Sequence, residues 1–167
     1  GTARGSASSS VPAEDGRANP AQSVGSVLHE KLSFLLADDV KVNAQILKVM
    51  LTRVCHDCRV DVVTSGEEVL RKLDSDEQGY DAVVVDNDFG TEGLTGLDTI
   101  KHIMSRPAPP RLVGMYSSSL SDSDGFKQEA LQIGANIFLS KPLPTQEALA
   151  QQLEDALLKT ADKRQRA

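Results

Sequence analysis

The chain has 167 residues, 40% hydrophobic and 25% charged, which is apolar material for one ordinary core and too little length for two comfortable domains. Its net charge of -6 argues against a general nucleic-acid binder, because such a protein needs a positive field to displace counterions from phosphates. No apolar run approaches the roughly 20 residues of a membrane helix and no secretory leader pattern opens the chain, so a cytoplasmic setting without membrane contact is expected.

Residues 1–30 open on Gly1 and are dominated to about Gly25 by Ser, Ala, Gly and Pro, with hardly any large apolar residue to offset the entropy of ordering. They are expected to be a disordered linker or tail of a processed fragment. From Lys31 onward, apolar runs alternate with helical stripes, the pattern of βαβ units in a parallel sheet. The first strand is predicted over 32–37, where continuous apolar character suits burial on both faces. A helix over 41–53 follows, with Val42, Ile46, Val49, Met50 and Val54 as its apolar stripe and a polar opposite face.

Cys55 and Cys58, the two cysteines of the chain, then flank His56 and Asp57 at a helix-to-strand connection. Two thiols are too few for a disulfide framework, and without a second pair the C-H-D-C spacing makes only half a zinc site. The second strand is predicted over 59–63. Ser65 before Gly66-Glu67-Glu68 has the form of a helix cap with acids in the first turn, opening a short helix that ends near Leu73.

Residues 82–85 are the most β-like run of the chain and end at Asp86, which marks the central strand. A third helix over 97–105 is expected to stop before Pro107, because proline disfavours helical geometry in the residue preceding it. A fourth strand over 112–116 comes next, then a helix capped by Asp122 or Asp124 and stopped by Gly134. The fifth strand spans 137–140, and the last helix follows Lys141-Pro142. The domain is expected to end near residue 160, with 161–167 as a frayed basic tail.

In an open parallel sheet, ligands bind beyond the carboxyl ends of the strands. Four of the five predicted ends carry chemistry: Asp38-Asp39, Asp86, Ser117-Ser118 and Lys141-Pro142. Converging carboxylates repel one another unless a cation neutralises them, and hard oxygen ligands suit Mg²⁺. A lysine and a hydroxyl beside them would complete a pocket able to handle phosphate.

With these motifs in this order, the chain resembles the response-regulator receiver domains of two-component phosphorelays from Lys31 to about Leu158. The resemblance implies a doubly wound, flavodoxin-like α/β fold, with five parallel strands in the order 2-1-3-4-5 and helices on both faces. It implies that Asp86 is the phosphoacceptor nucleophile. Mg²⁺ would be held by Asp39 and Asp86, by Asp38 through water, and by the backbone carbonyl of Asp88. Lys141 would pair with phosphoryl oxygens, and Ser117 would turn inward to the phosphoryl group, with Phe138 swinging as its aromatic partner. The output surface would include Phe126, Gln128 and Phe138. The domain itself would catalyse only its own phosphorylation and dephosphorylation.

The implied partners are a histidine kinase or histidine phosphotransfer protein, with the domain a monomer or weak dimer. The run Asp38-Asp39-x-x-x-Asn43, with Gln45-Ile46-Leu47 after it, is similar to receivers of hybrid sensor histidine kinases, and a place at the C-terminus of such a kinase is expected. After the acceptor, however, this chain reads from Asn87 to Leu97 without the family's usual Met-Pro and with a loop about two residues longer. Asp88 adds an acid there that is expected to alter the lifetime of the phosphorylated state. The altered loop leaves open a pseudo-receiver that no longer cycles phosphate. Asp86-Asn87-Asp88 also resembles the nucleophile strand of haloacid dehalogenase-type phosphatases, but that family places its acidic pair last rather than first.

Overall fold

The computed structural model describes residues 31–87, 92–118 and 125–166. In chain order the elements are β1 (Ser33–Ala37), α1 (Lys41–Val54), β2 (Arg59–Val63), α2 (Gly66–Ser75), β3 (Ala82–Asp86), α3 (Gly96–Met104), β4 (Leu112–Ser117), α4 (Gly125–Ile133), β5 (Ile137–Ser140) and α5 (Gln146–Arg166). The strands form one parallel sheet in the order β2-β1-β3-β4-β5. The alternating pattern predicts the parallel sheet, and the order is the doubly wound one that the resemblance implies. All of β3 and β4 is buried, as expected for strands covered on both faces.

Side chains alternate along each strand between two cores. Phe34, Leu36 and Val84 join Leu47 and Leu51 of α1 and Leu149 and Leu153 of α5. Leu35, Val83 and Val85 join Val69 of α2, Ile100 and Ile103 of α3 and Ala130 of α4 on the other face. The backbones approach closely at Gly114, where a Cβ would lie 1.6 Å from the Ile137 carbonyl oxygen, so only glycine fits between β4 and β5 there.

Local signals set most boundaries. Ser65 caps α2 by accepting from the Glu68 amide. Thr95 and Asp98 form a reciprocal capping box at the start of α3, which the sequence reading did not identify. Gly134, at φ 121°, ends α4 with its amide on the carbonyls of Ala130 and Leu131. The expected caps Asp122 and Asp124 lie outside the described residues, as do 1–30. The last helix continues to Arg166 through the stretch expected to fray.

One expectation is overturned. The α1 stripe does not face the sheet: Val42, Ile46 and Val49 are 64%, 50% and 45% exposed, while Ala44, Leu47 and Leu51 are buried, with Met50 and Val54 at the margin. The helix is apolar around more than one side, so hydrophobic spacing alone does not decide which side meets the core. Among the described residues no helix is long and apolar enough to cross a membrane.

Candidate functional site

The strand order reverses between β1 and β3, which sends the chain away from their carboxyl ends in opposite directions and leaves a crevice above them. Asp38 leaves β1 with its amide still bonded to the Val63 carbonyl, at 3.1 Å. Its Oδ1 accepts from the Val40 amide at 2.8 Å, which fixes the carboxylate at the turn into α1. Asp86 is the last residue of β3, in register with Tyr116 of β4. Asp38 and Asp86 are buried and Asp39 is exposed, yet each offers a carboxylate oxygen within 4.8 Å of the other two.

Lys141 follows β5 directly and is joined to Pro142 by a cis peptide bond. Its amide donates to the Ser117 carbonyl at 3.0 Å, which extends the β4–β5 ladder by one step and aims the side chain along the rim. The ammonium nitrogen lies 3.0 Å from Asp86 Oδ1 and 3.3 Å from Asp38 Oδ2. Lys141 Nζ also sits 4.7 Å from the centroid of the Tyr116 ring. Burial opposes its charge, but the hydrogen bond and charge of Asp86, then the charge of Asp38, outweigh this and lift the lysine above its ordinary value.

Asp38 is held above the usual carboxylate range, first by burial and then by the Asp86 charge, against the opposing effects of the Val40 hydrogen bond and Lys141. Its Oδ2 is buried and accepts no hydrogen bond, despite the nearby ammonium. A buried carboxylate oxygen without a hydrogen bond, among three hard oxygen donors and one lysine, is what a divalent cation would relieve. The residues therefore fit Mg²⁺, with Asp38, Asp39 and Asp86 as candidate donors.

The remaining expected residues lie at the end of β4, on β5, or outside the described residues. Ser117 is buried at the end of β4 and Ser118 is exposed beside it. Phe138 lies on β5, partly buried in the core facing α3 and α4; its carbonyl accepts from Gln152 Nε2 at 2.6 Å and its ring is 5.6 Å from Lys127 Nζ. Asp88 lies outside the described residues.

Two site residues escaped the sequence reading. Gly96 packs under the acceptor, where a Cβ would come within 2.5 Å of the Asp86 carbonyl oxygen; its only sequence signal was a Gly-Leu pair opening the next helix. Tyr116 read as the last apolar residue of a strand, and nothing in that pattern shows its ring beneath a lysine from β5. No cluster of cysteine and histidine joins the acids as a metal group among the described residues.

The model of the response regulator receiver domain matches residues 34–162. Sensor protein EvgS of Escherichia coli K12 is 28% identical over 116 residues, which are 70% of this chain and 9% of EvgS, so the chain spans a small part of that relative. Two-component response regulator 24 of Arabidopsis thaliana is 27% identical over 130 residues, 78% of this chain and 88% of that protein. The solved structure of the chemotaxis response regulator CheY4 of Vibrio cholerae superposes with a TM-score of 0.57 at 21% identity, covering 80% of this chain and 98% of that one, which shows the shared fold. With the match extending from β1 into α5 over this sheet order, the chain belongs to the response regulator receiver domain family of two-component signalling.

Proposed function

We propose that the domain accepts a phosphoryl group from a phosphohistidine onto Asp86 and changes conformation in response. The observation that carries this reading is the lysine from β5 bridging Asp38 and Asp86 at 3.3 and 3.0 Å, since it joins a nucleophile, candidate metal donors and a phosphate-pairing cation at one rim. An Asp86 carboxylate oxygen attacks phosphorus as the bond to the imidazole nitrogen breaks, and the electron pair leaves with the imidazole. Lys141 then pairs with a phosphoryl oxygen. Mg²⁺, held by Asp38, Asp39 and Asp86 with the Asp88 carbonyl as a further donor, would neutralise charge on the transferring group. The buried Ser117 hydroxyl turns to the phosphoryl group, Phe138 follows it, and the surface around Phe126, Gln128 and Phe138 reports the change.

The donor is a histidine kinase or a histidine phosphotransfer protein on the cytoplasmic side. It would meet the exposed apolar side of α1, the helix that Asp38-Asp39 lead into, where Val42, Ile46 and Val49 are open to solvent. The Ile46→Asp variant is therefore expected to lose transfer from a phosphohistidine protein by about tenfold relative to labelling by acetyl phosphate. We further propose that residues 31–160 act as one unit, monomeric or weakly dimeric, within a hybrid kinase.

The deciding experiment is Mg²⁺-dependent labelling by acetyl phosphate, read by intact mass, on the wild type and Asp86→Asn. An added phosphoryl mass lost in Asp86→Asn and in chelator supports phosphorylation of Asp86. Absence of labelling with both acetyl phosphate and a cognate phosphohistidine protein would instead support a pseudo-receiver, a reading favoured by the unusual sequence between Asn87 and Gly96.

A further inference from the structure

We propose that Tyr116 is a positioning residue for phosphoryl transfer, its ring face holding the Lys141 ammonium beside Asp38 and Asp86. This rests on the phosphoacceptor reading and adds to it a residue that the carboxylates and lysine alone do not supply.

Tyr116 and Asp86 are registered partners on adjacent parallel strands, so their side chains leave the same face of the sheet one strand apart. On the other side Tyr116 is registered with Leu139, two residues before Lys141. The lysine therefore has to pass over the tyrosine to reach the acids, and its nitrogen lies 4.7 Å from the ring centroid, within the range of a cation–π contact. Tyr116 is 4% exposed and the Lys141 side chain 17%, so water competes weakly for the ammonium. Burial, with Asp38 and Asp86 opposing the pull of Lys141, raises the phenol above its ordinary value and leaves a neutral ring for the contact.

An aliphatic residue would fill the same space without the negative ring face. The difference matters once a cation occupies the site. Asp38 and Asp86 then give oxygens to the metal, and a lysine held only by those oxygens would lose much of its hold. Its four-carbon stem is flexible and its ammonium hydrates strongly, so it would turn outward. The ring takes no part in coordination and keeps Lys141 over Asp86 when the phosphoryl group arrives.

The test uses beryllofluoride with MgCl₂ as the phosphoryl mimic, titrated by NMR into the wild type, Tyr116→Leu, Tyr116→Met and Tyr116→Phe. Met matches Leu in volume but is longer and unbranched, so it fills the tyrosine space in a different shape and guards against a collapse peculiar to one variant. Tyr116→Leu and Tyr116→Met are expected to weaken beryllofluoride binding about fivefold, and Tyr116→Phe, which keeps the ring, to recover most of that loss. Mg²⁺ affinity without beryllofluoride should hold or tighten in Leu and Met, since the lysine competes less for Asp38 and Asp86. Equal beryllofluoride affinity in the wild type and both non-aromatic variants would overturn the proposal. So would a parallel fall in Mg²⁺ affinity, which is the mark of a packing role alone.

A second readout stands apart from phosphorylation. The Lys141 ε-methylene protons should be shifted upfield by the ring in the wild type and Tyr116→Phe, and return toward ordinary lysine values in Tyr116→Leu and Tyr116→Met. If the wild type binds no beryllofluoride, the phosphoacceptor reading fails. The ring-current comparison then decides the Tyr116–Lys141 contact by itself: an upfield shift supports it, and its absence overturns it.

Discussion

The two ends of the sheet treat their acids in opposite ways. Near the amino ends of the strands, Asp81 Oδ2 accepts from the Ser33 amide and hydroxyl at 2.8 and 3.2 Å. Arg59 pairs with Asp76 at 3.1 Å and lies 4.6 Å from the Tyr80 ring centroid, and the Tyr80 hydroxyl donates to Asp61 at 2.5 Å. Each of these acids is met by its own donor. At the carboxyl ends, one ammonium serves both Asp38 and Asp86, and Asp38 Oδ2 accepts no hydrogen bond. The lower network gives each of these carboxylates a hydrogen-bond donor without a ligand, although the buried Arg59 Nε–H has no acceptor and lies 3.7 Å from Asp61 Oδ2, and it contributes to stability. The upper one is electrostatically unfinished, which makes its acids poor at holding the fold and ready for a cation.

Removing an acid should thus have opposite signs at the two ends. At the lower end, Asp81→Ala leaves the part-buried Ser33 amide without its side-chain acceptor and is expected to cost about 2 kcal/mol in urea unfolding. A change within 0.5 kcal/mol, either way, would mean that water replaces the carboxylate and that the lower network is no stabiliser.

At the upper end, Asp38→Asn should stabilise the metal-free domain, raising its melting temperature by about 3 °C. The folded carboxyl of Asp38 sits above its ordinary 3.8, first through burial, so the fold favours its protonated form. The associated stability is fully present below the unfolded value and fades as pH climbs through the higher folded one, leaving the ionised group a burden at neutral pH. Asparagine removes that burden while keeping an oxygen for the Val40 amide. Adding Mg²⁺ should then stabilise the wild type more than the variant, and calorimetry in chelator and in 10 mM MgCl₂, a concentration of roughly the usual working order, checks both signs. A variant that melts lower than the wild type in chelator would show that Asp38 is a structural acid like Asp81.

That contrast between ends also marks how far the residues could be read in advance. Strand identity was legible because β3 and β4 are buried on both faces and read as unbroken apolar runs. The rim acids and Lys141 were legible because each directly follows or ends a strand. Tyr116 was not, because its role depends on which strand lies beside β4 and on a lysine 25 positions later in the chain. The facing of α1 was misread for a related reason. Val42, Ile46 and Val49 satisfy helical spacing as well as Ala44, Leu47 and Leu51 do, and only packing against α5 and the sheet separates them.

The smallest expected effect sharpens the picture of the lower end as chemically quiet. Cys55 and Cys58 flank the turn from α1 into β2, where Asp57 adopts a positive φ of 58°. Burial, followed by the neighbouring Cys58, pushes the Cys55 thiol up to about 12, and burial also raises Cys58. The thiolate is the reactive form, so neither sulfur has much of it at pH near 8, and Cys55 is additionally closed to solvent. Brief treatment of the native domain with iodoacetamide at about pH 8 should leave Cys55 unmodified and label Cys58 more slowly than in urea, where both react. The modification is read by peptide mass. Labelling of Cys55 as fast as in urea would mean that the α1–β2 turn opens readily, and the lower end could no longer be treated as the rigid counterpart of the site above it.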